Sequence, residues 1–386
     1  MTSLSDVRHM LDKLISFDTT SRHSNLDIID WIESFLTPLG ASCIRVPNSS
    51  GTKANLWARL GPEVPGGIVL SGHTDVVPVD GQDWHTDPFK LTEGTDGLLY
   101  GRGTCDMKGF LALCLAFAPS FAKKALKKPI HFAFSYDEEV GCQGAPSMIE
   151  EIVKQGASPE AVWVGEPTEW QVISGHKGIA LTAVEVTGHE AHSSLPEMGL
   201  SAIGEAVDLM AILRKIQQDL IESAPDDTPF EPPYPTLTIG EVSGGTATNI
   251  LARKCRFAFD LRCPPGYDVE GVLAPFYDAV DAANQRIRDR FPECGIDVDQ
   301  MTNVPPLNVA PESPAETMMR ALTGDNAVRA VAYATEAGQF ATAGIPSVVC
   351  GPGSIDQAHK PNEFIDPAQL SHGVEIFKRL TERWAG

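Results

Sequence analysis

Short apolar, strand-like runs alternate with helix-period segments along the first part of this chain, and only a few architectures accept that order. Gly67-Ile68-Val69-Leu70 is followed by a helical pattern from about Met107, a run from Ile130 to Ser135, a helical pattern from Ala145 to Lys154 and a run from Ala161 to Val164. This alternation predicts parallel βαβ units, an α/β fold with a mostly parallel sheet. From about Ile179 the order changes: strand (Leu181 to Thr187), helix (about Ala202 to Ser223), strands (Thr236 to Val242 and Arg256 to Arg262), helix (about Val269 to Phe291), strand (Ile296 to Met301). Such a βαββαβ order predicts a ferredoxin-like lobe. After Pro305-Pro306, a helix near Pro314 to Leu322 and a strand at Ser347 to Cys350 resume the first pattern. The lobe therefore reads as an insertion, with residues 179–304 interrupting a parallel-sheet domain made of 1–178 and 305–386.

Charge narrows the partners. The 386 residues carry 30 Lys+Arg against 51 Asp+Glu, a net charge of -21, so the mean field repels phosphate backbones and anionic lipid. Neither nucleic acid nor a membrane is an expected partner. The longest apolar run, Leu111 to Pro119, is about half of the roughly 20 residues a spanning helix requires. The N-terminal segment mixes charges into helical spacing (Leu4, Val7, Leu11, Leu14) and lacks the pattern of a secretory signal. Eight scattered cysteines without a CxxC pair read as reduced thiols, and the expected compartment is the cytoplasm.

Ligands of open parallel sheets bind beyond the carboxyl ends of the strands, and metal-type side chains recur there. His73 and Asp75 follow the run ending at Leu70 and Ser71; Asp106 sits in GRGTCDMKG before a helix; Glu138 and Glu139 end IHFAFSYD; Glu166 ends AVWVG; His359 follows the last strand through GPGSIDQAH. Each is weak alone, since an HxD or an acidic pair also occurs in ordinary surface loops. GRGTCDMKG lacks both the ending of a phosphate loop and the spacing of a dinucleotide fingerprint. Together, two imidazoles and several carboxylates suit a hydrolytic, zinc-type centre with an open position for water. An Asp free to bridge allows two ions. Strand alternation would turn Glu138 away from its neighbour Glu139 and leave it free as a general base.

The motifs SGHTDVVP, GRGTCDMKG, SYDEEVG, GEPT, GHEAHSS and CGPGSIDQAHKPNEF occur in the order and spacing of the M20 family of metallo-aminoacylases and peptidases, which the whole chain resembles. The resemblance implies a metal-dependent hydrolase domain with an inserted dimerisation and lid lobe. It implies that Asp106 bridges two divalent ions, that His73 and Glu166 complete one site, and that His359 and Glu139 complete the other. Zinc is the first choice of metal, and cobalt and manganese accept the same donors. Asp75 would hold the far nitrogen of His73. Glu138 would take a proton from a metal-activated water and pass it to the leaving amine. His192, in GHEAHSS, matches the position that supplies an oxyanion donor, commonly across a homodimer; His189 has no such match and reads as structural. The resemblance also implies a cis peptide bond between Asp106 and Met107.

For the substrate, an N-acyl amino acid, Asn249 and Arg262 match positions that contact it in relatives, and Arg262 can grip a carboxylate with two hydrogen bonds. Glu336, in AYATEAGQF, is expected to pair with a side-chain ammonium. The implied reaction is deacetylation of N2-acetyl-L-ornithine to L-ornithine and acetate in arginine biosynthesis. Desuccinylation of N-succinyl-diaminopimelate, or another acyl-amino-acid or peptide cleavage of the same family, is the alternative.

Overall fold

In the computed structural model, residues 2–308 and 313–384 are described. Its longer elements run α1 (Leu4–Ile15), α2 (Leu26–Leu36), β1 (Ser42–Pro47), β2 (Ala54–Leu60), β3 (Ile68–His73), α3 (Lys108–Ala122), β4 (Ile130–Ser135), α4 (Ala145–Lys154) and β5 (Ala161–Val164). Then come β6 (Gly178–Thr187), α5 (Ala202–Glu222), β7 (Thr236–Gly244), β8 (Lys254–Cys263), α6 (Val269–Arg290), β9 (Gly295–Val304), α7 (Pro314–Thr323), α8 (Ala337–Thr342), β10 (Ser347–Val349) and α9 (Pro367–Trp384). The chain divides into two units. The larger is built from residues up to Gly175, Leu307–Arg329 and the stretch from Thr335 onward; the smaller comprises His176–Pro306 and Ala330–Ala334.

In the larger unit one sheet has the order β1-β2-β4-β3-β5-β10. β4, β3, β5 and β10 are parallel, whereas β2 runs antiparallel to β4 and β1 antiparallel to β2. Every residue of β3 and β4 is buried, as expected of central strands covered on both faces. The register pairs Ile68 with both Ile130 and Ala161, so the three strands end side by side and deliver their following loops to one edge. α3 is apolar nearly all round; on it Phe110 meets Trp163 of β5 and Phe377 of α9, and Phe117 meets Phe377, with ring centroids 5.3–6.0 Å apart. Close packing extends to the backbone: a Cβ at Gly165 would stand 2.0 Å from the Phe110 ring, so only glycine fits beside Glu166.

The antiparallel edge β1-β2 and the helices α2, α8 and α9 were not legible as elements in the sequence. β2 interrupts its apolar run with Asn55 and Arg59; Asn55 is nonetheless buried, donating to the Gly144 carbonyl at 2.9 Å.

The smaller unit forms a second sheet, β7-β8-β6-β9, antiparallel throughout. In order of connection this is the ferredoxin-like βαββαβ arrangement. β8 shows why: Cys255, Phe257, Phe259, Leu261 and Cys263 are buried and alternate with more exposed residues, so one face is apolar. That face packs with Leu209 and Leu213 of α5 and Leu273 and Phe276 of α6. Both helices start on side-chain caps, Ser201 accepting from the Gly204 amide at 3.2 Å and Asp268 from the Gly271 amide at 3.0 Å.

Candidate metal centre

His73 is the last residue of β3, and three loops converge on it. Its Nε2 lies 3.0 Å from Asp106 Oδ1 and 3.9 Å from Glu166 Oε1. The other oxygen of Asp106 faces a second imidazole: His359 Nε2 is 3.4 Å from Asp106 Oδ2 and 2.9 Å from Glu139 Oε2. Two donor groups, His73–Asp106–Glu166 and Asp106–Glu139–His359, each have their ligand atoms within 4.8 Å of one another and share Asp106.

The loop carrying Asp106 is held by a residue that the sequence reading passed over inside a quoted motif. Glu363 is buried and accepts from the amides of Gly103 (2.9 Å), Cys105 (2.8 Å) and Asp106 (3.0 Å), while Arg102 Nη1 donates to it at 2.9 Å. Three amides and a guanidinium compensate the buried charge. Arg102 in turn donates to Gln82 at 2.6 Å and lies over the Trp84 ring. The Asp106–Met107 peptide bond is cis.

One expectation needs correcting. Glu138 and Glu139 do not end a strand: β4 stops at Ser135, and the pair lies in a turn entered through Asp137 at φ 55°. Their different neighbours come from turn geometry, not strand alternation. Asp75 meets the far nitrogen of His73, more closely through its backbone carbonyl than through its carboxylate. The His73 Nδ1 is 2.9 Å from the Asp75 backbone carbonyl and 3.6 Å from Oδ1. The carboxylate also accepts from Ser21 Oγ (2.7 Å) and from the amides of Glu138 (3.2 Å) and Glu139 (3.3 Å), so Asp75 ties the β3 end to the acidic turn.

Glu336 also departs from expectation. It is 1 % exposed, at the start of α8, and accepts from Ser71 Oγ at 3.3 Å behind the His73 strand, so it presents no surface to a substrate ammonium. His192, Asn249 and Arg262 belong to the smaller unit. There His192 and Asn249 are exposed on adjoining loops, Ser193 N donating to the Asn249 carbonyl at 3.0 Å, and Arg262 Nε donates to Asp260 at 2.9 Å.

Electrostatics in the larger unit's site are dominated by burial. Glu138 is pushed up to about 8 by burial and by the neighbouring Glu139, Asp106 and Glu336 carboxylates, and Cys142 Sγ donates to it at 3.2 Å. Burial and Asp106 push Glu139 up to about 7 and raise Glu166 well above the carboxylate range. Burial acts against the charge of Asp106, but hydrogen bonds from His359 and His73 hold it well below its ordinary value. The residues fit divalent cations on two counts. Among the described residues Glu166 Oε1 is buried without a hydrogen-bond partner, and with Glu138 four carboxylates stand against two imidazoles, an excess of negative charge that metal ions would neutralise. Nitrogen and oxygen donors without sulfur match hydrolytic rather than purely structural zinc chemistry.

An α/β domain with a shared-carboxylate centre at its strand ends and an inserted ferredoxin-like unit is the arrangement of metal-dependent hydrolases of amide bonds. The model of peptidase family M20/M25/M40 matches residues 69–383, and the chain belongs to this family. It is 33 % identical over 366 residues to an acetylornithine deacetylase of Aliivibrio salmonicida, covering 95 % of this chain and 93 % of the relative. With an acetylornithine deacetylase of Proteus mirabilis it is 34 % identical over 373 residues, covering 95 % and 92 %. Among solved structures, an M20 family metallo-carboxypeptidase from Sulfolobus solfataricus superposes with TM-score 0.77 at 16 % identity, covering 98 % of this chain and 99 % of that one. A dinuclear metal binding peptidase of the M20 family from Bacillus subtilis gives TM-score 0.64 at 15 % identity, covering 98 % and 97 %.

Proposed function

We propose that this protein is a two-metal amidohydrolase that deacetylates N2-acetyl-L-ornithine to L-ornithine and acetate. The observation that carries the reading is Asp106 turning one oxygen to each of two imidazole–carboxylate groups, with Glu138, which belongs to neither group, in the same turn as Glu139. The relatives named as acetylornithine deacetylases over 95 % of the chain supply the substrate.

His73, Asp106 and Glu166 would hold one divalent ion and Asp106, Glu139 and His359 the other, zinc being the first choice. When bound, the ions supply Lewis acidity toward the amide carbonyl and lower the pKa of water. Glu138 acts as the proton carrier: its carboxylate takes a proton from the attacking water and returns it to the leaving amine. Asp75 holds the backbone of that turn and the His73 ring in register. His192 supplies a donor to the developing oxyanion, and Arg262 and Asn249 receive the substrate's carboxylate. The protein acts as a homodimer through its smaller unit, where α5 leaves Ile203, Val207 and Ile221 exposed. Eight unpaired cysteines favour a reducing compartment, the cytoplasm.

The decisive experiment is a side-by-side assay of zinc- or cobalt-loaded protein on N2-acetyl-L-ornithine, N-succinyl-diaminopimelate and several N-acyl amino acids. The expected result is the largest kcat/KM for acetylornithine. A preference for the succinyl substrate or for peptides would overturn the substrate assignment while leaving the hydrolytic class intact.

A further inference from the structure

We propose that His189, Glu293 and Cys294 form a third metal site, in the smaller unit, for a single zinc-class divalent ion. Their ligand atoms lie within 4.8 Å of one another. Sheet register explains the convergence: β6 ends at Thr187 opposite Gly295, the first residue of β9. His189 therefore leaves one strand where Glu293 and Cys294 enter the other.

His189 and Cys294 are held in place before any ion arrives. The His189 backbone exchanges hydrogen bonds with Leu200, both 2.9 Å, and its ring stacks on Phe291 with centroids 4.8 Å apart and planes 20° apart. Its Nδ1 is 2.8 Å from Glu293 Oε1. The Cys294 amide donates to the Phe291 carbonyl at 3.0 Å, and the residue is only 4 % exposed. That buried thiol is free and has no hydrogen-bond partner among the described residues. An unpartnered sulfur turned toward an imidazole and a carboxylate is a mixed nitrogen, oxygen and sulfur donor set. It suits zinc-class ions and disfavours calcium or magnesium, which require oxygen ligands. The side chains of His189 and Glu293 are 40 % and 52 % exposed, so an ion can enter and water can complete its coordination. Burial and Glu293 raise the Cys294 thiol above its ordinary value, with Arg253 acting against them, so an ion bound here would displace the thiol proton. The overall charge of -21 favours cations generally.

This site differs from the shared-Asp106 centre in having a thiolate donor, and the difference supplies the test. Cobalt alone is titrated into the full-length, metal-stripped protein, and the near-ultraviolet thiolate-to-cobalt charge-transfer band is followed. The expected result is a band that saturates at one equivalent beyond those taken by the larger unit. It should be lost in Cys294→Ser and in His189→Ala, while hydrolytic turnover in both variants stays at the wild-type level. No band with excess cobalt, or a band surviving Cys294→Ser, which would assign it to another thiol such as Cys105, overturns the proposal. Should Cys294→Ser fail to fold by circular dichroism, the surface variant His189→Ala decides on the same band.

Discussion

Glu138 and Glu139 are neighbours in sequence, yet one meets the Cys142 thiol and the other the His359 imidazole. In the proposed function one carboxylate carries protons while the other binds metal, and the division would make the two roles separable. Glu138→Gln keeps size and polarity but cannot accept a proton; turnover should fall by about 10²- to 10⁴-fold. Metal content after dialysis, read by elemental analysis, should stay at the wild-type level. An active Glu138→Gln would show that another group moves the proton. His73→Ala and His359→Ala should lose bound metal by the same analysis. Asp75 touches both sides of the arrangement, so Asp75→Ala should weaken metal binding by about 10- to 100-fold, the scale seen when a ligand's supporting partner is removed. Unchanged affinity would mean that the backbone carbonyl alone orients His73.

At the level of elements, the pairing of β2 with β4 carries a pH dependence of its own. Trp57 of β2 donates its Nε1 proton to His131 Nδ1 of β4 at 3.2 Å, and the two rings stack with centroids 5.7 Å apart. Nδ1 can accept only while the imidazole is neutral. Burial accordingly pushes His131 down to about 4. Its folded value lies below the ordinary 6.5, so the unfolded chain binds the extra proton first. Stability from this residue is full above pH about 6.5 and is lost as pH falls toward about 4, by up to about 3 kcal/mol. Urea midpoints measured at pH 7 and pH 5 should therefore fall further for wild type than for His131→Gln; equal slopes would exclude the histidine as the cause. The same strand shows what the sequence could and could not reveal. β3, β4 and β5 were legible because strands buried on both faces are near-continuous apolar runs, and the metal-type residues at or just beyond their ends were legible by position. β2 hid behind Asn55 and Arg59, whose partners, Gly144 and Glu63, lie in later segments. Glu363 was unreadable as a keystone because its role consists of three amides and a guanidinium far back in the chain. Glu336 misled for the converse reason, since a charged residue between Thr335 and Ala337 gives no sign that it will be buried under Ser71.

For the whole molecule, the metal centre is also a question of how the larger unit is closed. The chain leaves that unit after Gly175 and returns at Leu307, and β10 then pairs parallel with β5. His359, from the returning segment, faces Asp106 and Glu139 from the first, so ions held there would tie the two segments together. Without cations, this closure sets four buried carboxylates against two imidazoles in a chain already at -21. Because the unfolded chain lacks the assembled groups, metal binding adds directly to folding stability, by about 2.7 kcal/mol at 100 times the dissociation constant and about 4.1 kcal/mol at 1,000 times. Thermal unfolding of Cys294→Ser, in which only the larger unit's groups remain, should thus show a midpoint that climbs with free zinc and returns to its starting value on chelation. His359→Ala should flatten that climb, since it removes the donor that spans the two segments. A midpoint indifferent to zinc in Cys294→Ser would mean that the shared-Asp106 groups do not bind ions in the folded protein, and the two-metal reading would fall with them.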